Sequence, residues 1–378
     1  MRILIAHNVS RHRPGGMMRI MDFLHRPLAA AGHQVDFLCS EDVVRGARGR
    51  ASRFAFPWLV RDWAVRAARA GAPYDIVNVH EPHSALVTTV RGGTGNPAVV
   101  VTTHGVEQRA WELALEERQL GRAGPALGSR VWYPLSSLWQ SRVGLTHADA
   151  VFCLNFEDRD YLARVIGVEL ERIVRIFPGA EPVFAAAARE RSYATATRLV
   201  FAGTWRKNKG IEDLVPAFTE LARSRHDLAL TVLGAGVADG AVQGAFPPEL
   251  RSRVVVVSTR TDDETAHVLA GCDIFVLPSL FEGTPLTLME AMASGLPIVT
   301  TETCGMRDVV RHDENGLLIP IRSPAAIVTA VTQLLDDPAR RERLGRAAQA
   351  EATSQYTWET VARTVSETYE RLAAARAE

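Results

Sequence analysis

The feature that most constrains this chain is a strand–loop–helix–strand pattern that occurs twice. Ile3–Ala6 is a short apolar run, as expected of a strand buried on both faces. A polar loop, Arg11-His12-Arg13-Pro14-Gly15-Gly16, leads into a helical pattern over Met17–Ala31 with Ile20, Met21, Leu24 and Leu28 on one face. Gly32 suits the C-terminal cap of that helix, and Val35–Cys39 reads as the next strand. The same order returns as strand Leu199–Ala202, loop Gly203–Gly210, helix Ile211–Arg223 and strand Leu228–Leu233. Architecture repeats between the two; sequence does not.

Further strands are expected at Asp75–Val79, Ala98–Thr103 and Ala150–Leu154, then at Val254–Val257, Asp273–Leu277 and Ile298–Thr300. Helical patterns separate most of them. Such alternation implies parallel, doubly wound sheets, and 378 residues suit two domains of ordinary size. The expected fold class is α/β, with two Rossmann-like domains facing a cleft. Phe177-Pro178-Gly179 and the Ala-rich stretch after Phe184 read as connecting chain, and the segment from Tyr356 onward reads as a helix. The expected divisions are residues 1–180, 181–355 and a C-terminal helix over 356–378.

Composition excludes several classes. Lys+Arg and Asp+Glu are both 43, so no global field draws the chain to nucleic acid. Cys39, Cys153, Cys272 and Cys304 are scattered without a CxxC pair, which suggests buried free thiols rather than zinc or disulfides. The N-terminal apolar run is too short for a signal peptide and none approaches a membrane span, so a cytoplasmic location is expected.

The chemistry concentrates in Phe281–Glu290. Pro278 and Ser279 stop a buried strand, Glu282-Gly283 forms an exposed turn, Thr284 suits an N-cap and Pro285 the first helical position. Free N–H groups of Leu286, Thr287 and Leu288 at the carboxyl edge of a parallel sheet make a ready phosphate site. Glu282 and Glu290 would then accept hydrogen bonds from sugar and ribose hydroxyls. Two plainer readings stand beside this one. Thr287-x-x-Glu290 has the form of a capping box, and Glu282 has the form of a solvated turn residue.

The run Glu282-Gly283-x-Pro285-x4-Glu290-Ala291-Met292-Ala293-x-Gly295-x-Pro297-Ile298-Val299 resembles the Glu-x7-Glu motif of retaining glycosyltransferases of family 4, which have the GT-B fold. Cys304–Val310, Glu314–Pro320 and Ala148–Val151 also resemble that family. The resemblance is strongest between Leu199 and Pro320 and thinner in the N-terminal half. It implies a donor half and an acceptor half, with the C-terminal helix crossing back onto the N-domain.

The resemblance further implies that Glu282 lies near the transferred sugar and Glu290 on the ribose. The backbone of Gly283, Thr284, Leu286 and Thr287 would hold the diphosphate. In the loop Gly203–Gly210, Lys209 matches the family lysine. The family arginine follows directly on the first glycine, where this chain has Thr204, and Arg206 would stand in from two residues on. Gly15 and Gly16 would form a donor-facing loop, and His104 would contact the transferred sugar; His80 holds a similar position. The implied reaction retains anomeric configuration, uses a nucleotide-sugar co-substrate, and needs neither metal nor cofactor. A nucleotide-sugar epimerase or a catalytically silent nucleotide-sugar-binding protein is the alternative on the same fold. A dinucleotide-dependent oxidoreductase is disfavoured, because Pro14-Gly15-Gly16-Met17-Met18 replaces the G-x-G-x-x-G it requires.

Two regions bear on the acceptor. Val106–Thr146 carries Trp111, Trp132 and Trp139, which either shape an acceptor site or pack a helical excursion. Arg45–Ala70 holds seven arginines and one acid among Phe54, Phe56, Trp58 and Trp63. That segment reads as a solvated surface or as a weak peripheral membrane contact. The acceptor itself (glycan, lipid-linked or small molecule) leaves no mark in the sequence.

Overall fold

The computed structural model describes residues 1–9, 16–43, 50–89, 97–122 and 124–377. Gly15 and the first part of the Arg45–Ala70 segment lie outside them. The chain divides into two compact units, Met1–Phe177 with Trp358–Glu378, and Pro178–Thr357.

The first unit is built on β1 (Arg2–Ala6), β2 (Gln34–Leu38), β3 (Ile76–His80), β4 (Ala98–Thr102), β5 (Ala150–Cys153) and β6 (Ile173–Arg175). All pairings are parallel and the order is β2-β1-β3-β4-β5-β6. β3, β4 and β5 are buried along their whole length, which is why they read as unbroken apolar runs. Leu4, Phe56, Val60, Val77 and Val99 form one core cluster; Val101, Leu145, Val151, Leu162 and Ile166 form another. The helix Trp358–Ala377 belongs to this unit. Trp358 stacks on Phe23 with ring centroids 4.7 Å apart, Asn78 donates to the buried Tyr369 hydroxyl at 2.7 Å, and Arg376 pairs with Asp149 at 2.7 Å.

The second unit carries β7 (Arg198–Ala202), β8 (Ala229–Leu233), β9 (Val254–Val257), β10 (Ile274–Leu277), β11 (Ile298–Thr301) and β12 (Leu317–Ile319), parallel in the order β12-β11-β10-β7-β8-β9. In each unit the winding reverses beside the first strand. The reversal falls between β1 and β3 in one sheet and between β7 and β10 in the other. Crevices at the carboxyl ends of such strands are where open α/β sheets bind ligands.

One expectation needs correction, and two strands escaped the sequence reading. The Ala-rich stretch after Phe184 is not connecting chain. Pro182–Ala187 is a helix packed on Asp262–Ala270 and Leu286–Ala293, with Pro182 at its first turn and Phe184 fully buried. β6 and β12 are strands of three residues, too short for periodicity to mark. The four cysteines are free and buried, as expected. Among the described residues no helix is long and apolar enough to cross a membrane.

Candidate functional site

In the second unit the reversal point is occupied by two loops. The loop after β7 is pinned at its start: Gly203 N–H donates to Leu233 C=O and Trp205 N–H to Ala235 C=O, at 2.9 and 2.8 Å. Trp205 turns its ring edge-on to Phe201. The loop after β10 is tied to it by Leu280 N–H donating to Asn208 C=O at 2.8 Å. Gly210 makes this approach feasible. Its φ is +72°, and a Cβ there would fall 1.8 Å from the Pro278 carbonyl oxygen.

Lys209 and Glu282 thus meet as an ion pair, both side chains largely but not wholly buried. Ser279 Oγ donates to the same carboxylate at 2.9 Å. Arg206 is exposed on the same loop and is not drawn into the pair.

The helix after Glu282 begins one residue later than expected. It spans Leu286–Ala293, with Pro285 as its N-cap in an extended conformation and no side-chain cap; Thr284 lies outside it. Pro285 C=O accepts from Leu288 N–H at 3.1 Å. The first two helical N–H groups, on Leu286 and Thr287, have no carbonyl within the helix to bond. Because the helix begins at Leu286, Thr287 is not its cap, and the capping-box reading of Thr287-x-x-Glu290 falls away. Glu290 is 2% exposed within the helix.

Gly283 and Thr284 are braced from the far side by Gly305, whose N–H donates to Gly283 C=O at 2.8 Å. A Cβ on Gly305 would come within 2.0 Å of Thr284 Oγ1. A depression of about 580 Å³ opens beyond β9, lined by Ser258, Thr259, Arg260 and His267 among others.

In the first unit three histidines end three neighbouring strands. His7 follows β1, His80 ends β3 and His104 follows β4, so they gather where that sheet reverses. His80 Nδ1 lies 2.7 Å from His104 Nε2, and the His7 ring is edge-on to both. Burial holds all three neutral. It lowers His7 to about 4 and His104 to about 3, with His7 adding to the effect on His104. His80 is driven well below the usual imidazole range by burial and then by its two neighbours. His7 carries no motif; its one mark in the sequence is its place directly after a buried strand. Gly16 is the first residue of the helix Gly16–Ala30.

Of the tryptophans between Val106 and Thr146, Trp111 is half-buried and stacks on Tyr133 with ring centroids 4.6 Å apart, whereas Trp132 and Trp139 are exposed. In the Arg45–Ala70 segment the helix Arg50–Arg69 buries Phe56 and exposes Trp58. Trp63 donates to Tyr74 at 3.2 Å.

Residues 14–183 match the family model for Glycosyltransferase Family 4, and residues 185–351 match that for Glycosyl transferases group 1. Glycogen synthase of Mycobacterium tuberculosis is 27% identical over 402 residues, covering 96% of this chain and 92% of that protein. Among solved structures, sucrose-phosphate synthase from Thermosynechococcus elongatus has a TM-score of 0.79 at 22% identity, covering 99% of this chain and 100% of that one. Anabaena Alr3699/HepE in complex with UDP-glucose has a TM-score of 0.70 at 15% identity, covering 98% and 100%. These likenesses in structure concern the fold.

Proposed function

Since the chain belongs to the family 4 glycosyltransferases of the GT-B fold, we propose that it moves a glycosyl group from a nucleotide-diphosphate sugar to an acceptor hydroxyl, with retention at the anomeric carbon and without a divalent metal. The observation that carries this reading is the Lys209–Glu282 pair at the reversal point of the second sheet, beside the N-terminus of Leu286–Ala293.

Each part has a role in such a reaction. The Lys209 ammonium and the N–H groups of Leu286 and Thr287 would neutralise charge on the departing diphosphate, work that a metal ion performs in other transferases. Glu282, oriented by Ser279 and Lys209, would accept hydroxyls of the transferred sugar, and Glu290 those of the ribose. Arg206, exposed on the same loop, would join only by swinging inward. The depression beside Ser258–Arg260 would take the base. In the first unit, neutral His104 would offer one ring nitrogen to the sugar, its orientation fixed by His80. Neutrality suits this role, since an imidazolium would oppose positive charge developing at the anomeric carbon. Retention follows if the acceptor hydroxyl attacks from the side the diphosphate leaves, handing its proton to a phosphate oxygen. The UDP-glucose bound by the Anabaena relative supports a nucleotide-sugar donor.

The test is a panel of UDP-, GDP- and ADP-sugars with and without simple acceptors, in the presence of a chelator, followed by NMR of the product anomer. We expect slow donor hydrolysis with one nucleotide class and transfer with retained configuration. Lys209→Ala should lower kcat by about 10²–10³, the cost of removing one preorganised charge donor. No binding of any nucleotide sugar by calorimetry would overturn the proposal, and an inverted anomer would overturn retention.

A further inference from the structure

The helical segment that follows Ala126 has its bulk on the wrong side for a soluble protein. It runs as a helix Leu127–Tyr133, a π-helical turn Pro134–Leu138 and a helix Trp139–His147. Leu127, Val131, Trp132, Leu135 and Trp139 are 68, 60, 59, 65 and 53% exposed. At helical spacing these five fall within an arc of about 140°. The buried side is made of Ser136, Ser137, Gln140, Ser141, Gly144 and Leu145. Gly144 shows why it is small, since a Cβ there would stand 1.8 Å from Ser84 Oγ. A surface helix stabilised only by its own fold would place these faces the other way round.

Charge identifies what covers the exposed face. From Gln119 to Ala148 the sequence contains Arg122, Arg130 and Arg142 and no Asp or Glu, in a chain whose net charge is zero. Arg130 and Arg142 are exposed, as is Leu120. Tryptophan and leucine on one face, arginines at its margins and no carboxylate match the interface of an anionic bilayer. A second copy of this chain fits less well, because a two-fold contact would set the arginines against themselves.

We propose that the face Leu127–Trp139 docks on an anionic lipid surface, with Trp132, Leu135 and Trp139 entering the headgroup layer. This docking surface is distinct from the helix Arg50–Arg69 and does not depend on the reaction proposed above.

The test is sedimentation of the purified 378-residue chain with vesicles of phosphatidylcholine alone and of equimolar phosphatidylcholine and phosphatidylglycerol. The wild-type protein should partition at least about tenfold more strongly onto the anionic vesicles and be released by salt. The double variant Trp132→Ser/Leu135→Ser should lose about tenfold or more of that partition with an unchanged circular dichroism spectrum, since both side chains are exposed. Arg130→Glu should weaken anionic binding alone, and Trp58→Ser should leave it intact. Failure to sediment with either vesicle overturns the proposal. So does loss of binding in Trp58→Ser with retention in the double variant. Light scattering that shows a dimer of the wild type and a monomer of the double variant would assign the face to a second copy and overturn it equally.

Discussion

Glu81 stands one residue past the end of β3, beside His80. Its Oε1 accepts from Glu107 N–H at 3.2 Å and from the Ser141 hydroxyl, while Oε2 is buried with no hydrogen-bond partner. Burial, reinforced by the charge of Glu107, pushes this carboxyl up to about 8. A carboxyl whose folded pKa is raised holds its proton where the unfolded chain has lost it, so its contribution to stability falls as pH rises from about 4.5 to about 8. The neighbouring histidines work in the opposite sense. Their folded pKa values are depressed, so their contribution falls as pH drops below 6.5 toward 4. Glu81→Gln keeps an acceptor for Ser141 and Glu107 and removes the titration. We expect it to raise the unfolding free energy by on the order of 2 kcal/mol at pH 8.5 and to change it little at pH 5, as read by urea denaturation. The sequence marked His104 and His80 by their places at strand ends but gave no sign of Glu81. Its environment is assembled by Glu107 and Ser141, far along the chain.

At the scale of elements, the second-unit site depends on how closely two loops approach. Gly210 permits that approach, and nothing larger fits against the Pro278 carbonyl. Gly210→Ala combines a left-handed φ with a backbone collision. We expect a stability loss of roughly 2 kcal/mol or more and, in whatever folded protein remains, Lys209 displaced from Glu282 with weaker nucleoside diphosphate binding by calorimetry.

Much of this region was legible. The strand–turn–helix order of Asp273–Ala293 is a local pattern, and local patterns survive folding; Lys209 stood out only through its resemblance to the family lysine. What was not legible is non-local or very short. The first helical residue after Pro285 shifted by one because Pro285 adopts an extended conformation, with its carbonyl already serving the first turn. β6 and β12 have too few residues to show a period. The π-helical turn at Pro134–Leu138 has no signature in residue type at all.

At the scale of the whole molecule, both sheets are parallel and reverse beside their first strand, but they wind differently: two strands precede the reversal in β2-β1-β3-β4-β5-β6 and three in β9-β8-β7-β10-β11-β12. The units also differ in continuity: the second is continuous in sequence and the first is not. A fragment Pro178–Thr357 should therefore fold alone and unfold cooperatively in urea. A fragment Met1–Phe177 lacks Tyr369 against Asn78 and Trp358 against Phe23. We expect it to be poorly soluble by itself and rescued by a peptide spanning Trp358–Glu378. Equal solubility and cooperativity of the two fragments would contradict this.

The same discontinuity sets an order of events on the ribosome. Domains generally fold as they emerge, N-terminal first. Here the N-terminal sheet leaves the exit tunnel with one flank open and keeps it open until translation has passed through all of Pro178–Thr357. The later-made half can reach its native state before the earlier one is finished. Nascent-chain chaperones would thus find their longest-lived client in the first half of this polypeptide, and Trp358–Ala377 is the helix whose arrival releases it.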